Sequence, residues 1–358
     1  MIARLFHRWE QRLADVSREA RVVRPFEWGT EWIPRNGHAS EGPPDTIVRE
    51  WVNGVMLDTD AFFTPPPTND YTLSRTTSSG AADGDHASVL TFPSALLTPH
   101  RENNVVHARY FRARRGDSTA TSHGARARRA VVVLPQWNSD AQSHIGLSKL
   151  LARLGISALR ISLPYHDQRM PPELTRADYI VSANVARTIQ VCRQAVLDVR
   201  RALWWLHDQG YERLGLLGTS LGSCLAMLTS AHEPLVRAQA LNHVSPFFAD
   251  VVWRGLSTAH VRASLDSHLD LERLRDLWRP ISPWSYIDRV RGKRTLLVYA
   301  KYDLTFPVDL SRVLVDEFRR RRVEAEVAVL PCGHYTTGAA PFKFLDGYYL
   351  ARFLSKNL

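Results

Sequence analysis

The sequence predicts an α/β fold in which a mostly parallel central sheet is flanked by helices. Three observations predict it: short apolar runs recur along the chain, helical patterns separate most of them, and one longer helical stretch lies between two of the later runs. Apolar runs without polar alternation are typical of parallel strands that are covered on both faces. Strands that alternate with helices place the chain in the α/β class.

Residues 1–90 are predicted to form an irregular N-terminal extension packed on the main domain. Their periodicity is poor, and three breaker-rich stretches interrupt them: "EGPPD" (41–45), "TPPPTND" (64–70) and "RTTSSGAADGDHAS" (75–88). Such compositions are typical of loops, and we expect the last of them to be mobile. Aromatic residues between these stretches are expected to anchor the extension on its neighbour.

The first residues, MIARLFHRWEQRLADV, have the pattern of a short amphipathic helix. Apolar and basic residues lie on different sides of it: Leu5, Phe6, Trp9, Leu13 and Val16 against Arg4, Arg8 and Arg12. This pattern favours a helix docked on its own domain. The alternative is peripheral membrane contact through residues 1–20, because a basic amphipathic helix can also lie on an anionic lipid surface.

Residues 91–358 are predicted to form the main domain. The run "VVHARYFRAR" (105–114) alternates like a strand with one exposed face, and the arginine-rich "STATSHGARARR" (118–129) follows it. The later strands are predicted from "AVVVL" (130–134), "ALRISL" (158–163), "RLGLLG" (213–218), "AQALNHV" (238–244), "RTLLVYA" (294–300) and "EVAVL" (326–330). Helical patterns between them end in glycine or in clustered arginines, which are typical helix C-terminal signals.

A longer, tryptophan-rich helical stretch, residues 246–290, lies between the predicted strands 238–244 and 294–300. It is longer than a simple crossover helix requires. An insertion at this point begins at the carboxyl end of a strand. Open α/β sheets bind ligands at the edge that the carboxyl ends of their strands form. We therefore expect a helical lid over a binding site.

Composition indicates a globular cytoplasmic protein without a nucleic-acid partner. The net charge is +10, but only five of the 46 Lys and Arg residues are lysines, and the arginines are scattered rather than gathered on one face. The three cysteines form no CxxC pair, which suggests reduced thiols. No apolar stretch approaches the roughly 18 to 20 residues of a membrane span, and the N-terminus lacks the apolar region of a signal peptide.

The segment "LGLLGTSLGSCLAML" (214–228) carries the main functional signal. It predicts a strand, a Gly218-Thr219-Ser220-Leu221-Gly222 turn and a helix, which is the context of a nucleophile elbow. Small residues on both sides of Ser220 let strand and helix pack closely, and a helix N-terminus favours a developing oxyanion. The alternative is a tight turn with a capping serine.

A nucleophilic serine needs a base, and the base needs an orienting acid. Asp303 follows the predicted strand 294–300 in "KYDLTFP", and His334 follows the last strand in "PCGHYTTG". The order Ser, Asp, His is the order of the triad in α/β-hydrolases. Because all three residues follow parallel strands, we expect Ser220, Asp303 and His334 to meet at one edge of the sheet. Asp250, in "SPFFADVV" (245–252), is the rival for the acid.

With these motifs the segment from about residue 90 to 358 resembles the α/β-hydrolase superfamily, in its serine esterase and lipase-like members. The long aromatic N-terminal segment is similar to that of abhydrolase-domain proteins with an N-terminal extension. The resemblance implies an α/β-hydrolase fold with a helical lid. It also implies that the N–H groups of Leu221 and Trp137 form the oxyanion hole, although Pro135 and Gln136 stand where the family has a His-Gly pair. Gln136 is therefore a second candidate donor.

Several other residues of chemical interest are assigned lesser roles. His166 ends a strand at the same edge and is a candidate substrate contact, the alternative being a hydrogen-bonded loop histidine. His144 and His243 are interpreted as structural, and Cys224 and Cys332 as packing residues. No P-loop, HExxH, GxGxxG or paired CxxC motif occurs, so the sequence implies neither a cofactor nor a metal.

These observations predict a serine hydrolase that cleaves a carboxylic ester through an acyl-enzyme. We expect the ester to be small or lipid-like and its acyl part to be apolar. The same triad would serve a peptidase or an acyltransferase, and sequence alone does not separate water from another acceptor. A third alternative is a non-catalytic interaction module with the same fold. The identity of the substrate, the acyl length and the oligomeric state are not determined by the sequence.

Overall fold

A mixed sheet runs through the computed structural model, which describes residues 2–16, 20–34, 42–75, 88–113 and 127–358. Within these residues the strands lie in the order β1-β2-β3-β5-β4-β6-β7-β8-β9, numbered along the chain. From β5 to β9 all neighbours are parallel, whereas β1, β2 and β3 extend one edge in antiparallel pairing. This confirms the predicted α/β class. The strands are β1 (Thr72–Arg75), β2 (Ser88–Pro93), β3 (Val105–Phe111), β4 (Arg129–Leu134), β5 (Ser157–Ile161), β6 (Arg213–Thr219), β7 (Val236–Asn242), β8 (Arg294–Ala300) and β9 (Glu326–Leu330).

Helices cover both faces of the sheet. The α-helices are α1 (Ile2–Asp15), α2 (Pro44–Leu57), α3 (Thr59–Phe63), α4 (Ile145–Arg153), α5 (Val185–Asp208), α6 (Leu221–His232), α7 (Phe248–Arg254), α8 (Ala259–Leu265), α9 (Leu271–Leu277), α10 (Val308–Arg320) and α11 (Phe342–Asn357). Short 3₁₀ helices lie at Thr30–Trp32, Arg101–Asn104, Asp167–Arg169, Leu256–Thr258, Arg279–Ile281, Pro283–Val290 and Thr336–Gly338.

Strand β4 illustrates why continuous apolar runs predict a sheet covered on both faces. All its residues are buried, and successive side chains point to opposite faces. Val132 belongs to the apolar cluster that includes Leu203 of α5, whereas Val131 and Val133 belong to the cluster that includes Leu350 of α11. The two cores therefore lie on the two faces of one sheet.

The N-terminal extension contains more regular structure than its sequence predicts. Helices α1 to α3 and strand β1 lie within residues 1–90, and β2 crosses the boundary predicted at residue 90. Leu90 pairs with Ala108 of β3 and is fully buried. The whole of β2 pairs with β3, from Ser88 opposite Tyr110 to Pro93 opposite Val105. Most of the two predicted loops at 75–88 and 118–129 falls on residues 76–87 and 114–126, outside the described residues.

Arginines of the long helix α5 hold part of this extension in place. Arg193 donates a hydrogen bond to the carbonyl oxygen of Phe62 at 2.6 Å. Arg201 donates to the carbonyl oxygens of Pro66 and Pro93, each at 2.8 Å. Guanidinium groups with several donors can satisfy carbonyl groups of an irregular backbone that has no ladder partner. Part of the arginine content thus serves the attachment of the extension.

The stretch between β7 and β8 is helical, as its sequence predicts. It contains α7, α8, α9 and three 3₁₀ helices, and it begins directly after the carboxyl end of β7. Phe248 and Val252 of α7 are buried against the main apolar cluster. Among the described residues, none of the helices combines the length and the apolar character needed to cross a bilayer.

Candidate active site

Ser220 occupies the sharp turn between β6 and α6. Its backbone has φ 57° and ψ −120°, a conformation that L-residues rarely adopt and that is maintained only by the surrounding structure. A Cβ at Gly218 would lie 2.2 Å from the carbonyl oxygen of Gly222, and one at Gly222 would lie 2.3 Å from that of Leu134. Glycine is therefore required at both positions. The turn has the geometry of a nucleophile elbow.

His334 connects Ser220 to Asp303. Its Nε2 lies 3.1 Å from Ser220 Oγ, and its Nδ1 lies 2.9 Å from Asp303 Oδ2. An ionised carboxylate only accepts hydrogen bonds, so the proton of the neutral ring is on Nδ1 and Nε2 is free to accept from the serine hydroxyl. The structure thus brings the three predicted residues into one hydrogen-bonded row at the carboxyl edge of the sheet.

The carboxylate of Asp303 is saturated with donors. Its Oδ1 accepts from the backbone N–H groups of Thr305 and Phe306 at 2.8 and 2.7 Å. Its Oδ2 accepts from the ring nitrogens of His334 and His243 at 2.9 and 3.0 Å. Burial by itself raises the pKa of the Asp303 carboxyl, but the two histidines outweigh it and hold that pKa well below its ordinary value. Asp303 therefore stays ionised.

The rival acid, Asp250, is not part of this row. It is fully buried on α7, where Arg275 donates to both carboxylate oxygens at 2.5 and 2.6 Å. The Asp250 charge is therefore paired with the Arg275 guanidinium and not with His334. The structure therefore places Asp303 beside the histidine and Asp250 in a separate ion pair.

His243 is a member of the site that its sequence did not reveal. It follows β7 with φ 56°, and its Nδ1 donates to Asp303 while its Nε2 lies 3.2 Å from Thr337 Oγ1. Burial lowers the pKa of His243, which favours the neutral ring. Its position at the end of a central parallel strand was the available signal. We assign it the role of holding the Asp303 carboxylate beside His334, since both rings contact the same oxygen, Oδ2.

The ligand atoms of His243, Asp303 and His334 lie within 4.8 Å of one another, a spacing that could also hold a metal ion. Each of these atoms already takes part in the hydrogen bonds that join the carboxylate to the two rings. The hydrogen bonds account for the grouping, and a metal would have to displace them.

Helix α1 supports the loop that carries His334. Glu10 is fully buried, and its carboxylate accepts from the backbone N–H groups of Tyr335 and Thr336 at 2.9 and 2.8 Å. A Cβ at Gly333 would lie 2.3 Å from Glu10 Cδ, so the carboxylate and the loop are in direct contact. Burial acts to lower the pKa of His334, but Asp303 and, to a smaller extent, Glu10 raise it above its ordinary value.

We expect Glu10→Gln to destabilise this loop. The substitution removes a buried charge that accepts two backbone hydrogen bonds, and we expect the free energy of unfolding to fall by about 2 kcal/mol. The pKa of His334 should fall as well, because the negative charge that favours its protonated ring is lost. Chemical denaturation and an NMR titration of the His334 ring measure the two effects. Glu50→Gln, on the exposed face of α2, is the control; equal stability of the two variants would contradict the assignment.

A cavity of about 750 Å³ opens at Ser220. One wall is apolar and is formed by the elbow helix, the helical insertion and the loop after β8. Ser220, His334 and Gln136 border the cavity as well. The apolar wall consists of Leu221, Cys224, Phe248, Val251, Val252 and Phe306.

The proposed oxyanion donors border this cavity too. Leu221 is the first residue of α6, where backbone N–H groups have no partner within the helix. The Trp137 side chain is anchored because its Nε1 donates to the carbonyl oxygen of Ala177 at 2.8 Å. Leu221, Trp137 and Gln136 all line the cavity.

His166 does not reach the cavity, so the prediction of a substrate contact needs correction. Its side chain is fully buried, and both ring nitrogens are engaged inside the protein. Nδ1 donates to the carbonyl oxygen of Pro164 at 2.9 Å, and Nε2 accepts from the N–H of Asn138 at 3.0 Å. Burial lowers the pKa of His166 to about 4. It holds the loop that carries Trp137, since Asn138 follows Trp137 directly.

His144, Cys224 and Cys332 are interpreted from the sequence as structural or packing residues. His144 borders the cavity, with Nε2 2.9 Å from Thr219 Oγ1, and burial lowers its pKa to about 4. Cys224 and Cys332 are buried free thiols, and burial raises the pKa of each to about 11. High pKa values keep these thiols protonated, which agrees with packing roles.

Comparison with known proteins identifies the fold. No family model and no curated protein sequence matches the chain. Among solved structures, it is similar to an acetyl xylan esterase from Paenibacillus sp. R4 (TM-score 0.62, 13% identity, covering 92% of this chain and 98% of that one). It is also similar to acetyl xylan esterase 1 from Thermoanaerobacterium sp. JW/SL YS485 (TM-score 0.59, 14% identity, 96% and 98% covered).

A third similar structure is the acylaminoacyl peptidase of Pyrococcus horikoshii (TM-score 0.56, 11% identity). The match covers 80% of this chain and 42% of that longer one. All three are members of the α/β-hydrolase superfamily. The chain therefore has the α/β-hydrolase fold, as its sequence motifs imply. At these identities the similarity shows the fold alone.

Proposed function

We propose that the protein is a serine hydrolase that cleaves a carboxylic ester through an acyl-enzyme. The observation that carries the proposal is the hydrogen-bonded row of Ser220, His334 and Asp303 at the mouth of a cavity. A positioned base within 3.1 Å of a strained serine is the arrangement that activates a hydroxyl for attack on a carbonyl carbon. The esterases with the same fold support this reading.

In the proposed reaction Ser220 Oγ attacks the ester carbonyl carbon while His334 Nε2 accepts the hydroxyl proton. The tetrahedral oxyanion accepts hydrogen bonds from the backbone N–H groups of Leu221 and Trp137, and one such donor contributes about 3 kcal/mol to lowering the barrier. His334 then gives its proton to the departing alcohol. Water, deprotonated by His334, attacks the acyl-enzyme and releases the acid. Asp303 stabilises the protonated ring throughout.

The apolar wall of the cavity favours an apolar acyl group. Phe248, Val251 and Val252 of α7 and Phe306 contribute to it, so part of the wall belongs to the insertion 246–290. We propose that this insertion acts as a lid that excludes water from the acyl pocket. Small or lipid-like esters are the substrates that such a wall would bind.

The proposal is tested by assaying the purified protein with 4-nitrophenyl esters of graded chain length and by labelling it with a fluorophosphonate. We expect turnover of esters and covalent labelling. An N-acetylamino acid 4-nitroanilide and added methanol complete the panel: faster cleavage of the anilide would identify a peptidase, and formation of methyl esters an acyltransferase. A cooperatively folded protein with neither turnover nor labelling would be a non-catalytic module.

We also propose that the protein makes peripheral contact with a membrane through residues 1–20. Ile2 and Leu5 are 62% and 60% exposed, and the helix that carries them also bears Arg4, Arg8 and Arg12. Free, buried cysteines agree with the cytoplasmic location that we propose. An exposed apolar stripe beside cations is suited to an anionic lipid surface.

We expect the double substitution Ile2→Asp/Leu5→Asp to reduce sedimentation with phosphatidylglycerol vesicles. Deletion of the helix would be uninformative, because Glu10 supports the His334 loop. Leu57→Asp is a matched control, since Leu57 is 90% exposed at the end of α2. Equal sedimentation of the double variant and the control would exclude this contact. Vesicles of phosphatidylcholine report how much of the binding depends on lipid charge.

A further inference from the structure

Two arginines border the cavity beside the catalytic groups. Arg176 lies near the side chain of Trp137, since its guanidinium carbon is 5.4 Å from the centre of the Trp137 ring. Arg21 donates a hydrogen bond to the hydroxyl of Tyr335 at 3.3 Å, and Tyr335 follows His334 directly. The proposed mechanism uses neither guanidinium group.

The charge of Arg176 is only partly balanced within the protein. Its side chain is 11% exposed, and its Nε lies 3.6 Å from a carboxylate oxygen of Asp178. Arg24 approaches the same carboxylate more closely, at 3.2 Å. One negative charge is therefore shared by two cations. Burial, and to a smaller extent the positive charge of Arg21, lower the pKa of Arg176. A largely buried cation that shares its counter-ion is costly unless another anion approaches it.

His260 provides an independent observation beside Trp137, although it is not among the residues that line the cavity. Its ring is stacked on Trp137 with a centroid distance of 5.9 Å and is 9% exposed. Among the described residues neither of its ring nitrogens has a hydrogen-bond partner. Burial, together with the charges of Arg176 and Arg21, lowers the pKa of His260 to about 4, so the ring is neutral near pH 7. Buried polar atoms without partners are uncommon and point to a missing partner.

We propose that Arg176 and Arg21 form an oxyanion subsite beside the stacked Trp137 and His260 rings, so that the preferred substrate is an ester carrying a carboxylate or phosphate group. The inference rests on the proposed function and specifies its substrate class. Guanidinium groups bind both kinds of oxyanion by charge-assisted hydrogen bonds. The anionic group would lie beside the Trp137 side chain, while the apolar wall holds the remainder of the substrate.

Two pairs of esters test the subsite, and they distinguish a carboxylate from a phosphate as the group that it binds. The carboxylate pair is 4-nitrophenyl hydrogen adipate against 4-nitrophenyl hexanoate. The phosphate pair is 1-hexanoylglycerol 3-phosphate against 1-hexanoylglycerol. We expect kcat/KM of the wild-type protein to favour the charged member of at least one pair by about tenfold, with a preference that weakens as ionic strength rises.

Arg176→Gln should abolish this preference, since the guanidinium that binds the charged group is lost. Arg176→Lys should retain part of the preference, because the charge remains and the planar fork is lost. Arg254→Gln, which removes a partly exposed arginine of α7 paired with Asp309, is the matched control and should behave like the wild type.

A wild-type protein that hydrolyses neutral esters as well as charged ones would overturn the subsite and leave the serine hydrolase intact. An unchanged preference in Arg176→Gln would overturn it too. Calorimetric titration with free adipate and with glycerol 3-phosphate gives a readout that needs no turnover. Binding that depends on Arg176 in a protein without esterase activity would retain the subsite and refute the hydrolase. Absence of binding together with absence of preference would refute the subsite.

Discussion

Ser220→Ala is expected to lower kcat for ester hydrolysis by about 10⁵-fold and to abolish fluorophosphonate labelling. The substitution removes the only hydroxyl within hydrogen-bond distance of His334 Nε2 among the described residues. It leaves the proposed oxyanion donors and the cavity in place, so binding of substrate should persist and the loss should fall on kcat. Measurement of kcat and KM with a 4-nitrophenyl ester, in parallel with gel-based labelling, checks the prediction.

The matched control for this experiment is Ser230→Ala. Ser230 lies on the same helix, α6, and its buried hydroxyl has no hydrogen-bond partner among the described residues. Removal of that hydroxyl should leave turnover and labelling near the wild-type level. Retained labelling of a folded Ser220→Ala protein would show that another residue is the nucleophile.

Asp303→Asn is expected to lower kcat by about 10⁴-fold. The amide can present an N–H to His334 Nδ1, which stabilises the tautomer with its proton on Nε2 and leaves no acceptor for the serine hydroxyl. Loss of the negative charge should also lower the pKa of His334, since Asp303 is the main group that raises it. The base must be neutral to act, so activity falls as the pH drops through that pKa. The acidic limb of kcat/KM should therefore move to lower pH in the variant.

Asp250→Asn distinguishes the two candidate acids. This substitution breaks the fork with Arg275, and we expect a loss of stability with kcat largely retained. The opposite pattern, with kcat lost in Asp250→Asn and retained in Asp303→Asn, would reverse the assignment. Activity measured over the pH range in both variants, well below their unfolding temperatures, separates catalysis from stability.

The elements that were predictable from sequence are those whose conformation is decided locally. The turn at Ser220 needs glycine at 218 and 222 because a side chain at either position would collide with backbone atoms. The five residues 218–222 are therefore enough to predict the turn. Parallel strands bury both faces, so their runs are continuously apolar. Polar residues that directly follow such strands are expected at one edge of the sheet, which is why Asp303 and His334 could be located before the structure.

The residues that escaped prediction act through contacts between distant segments. His243 and His166 carry the same local signal, a histidine after a buried strand, yet one hydrogen-bonds to Asp303 and the other holds the Trp137 loop. Glu10 lies more than 300 positions from the loop that it supports. A glutamate inside an amphipathic helix is normally exposed, and only the docking of α1 explains its burial.

By itself the sequence determined the class of fold, the three residues of the row and their order along the chain. Those features follow from backbone sterics and from the burial of apolar runs, which act over a few residues. The tertiary structure alone decided which atoms meet Asp303, what supports the His334 loop, and which charges border the cavity. These depend on how segments far apart in the chain pack, and local patterns carry no record of that packing.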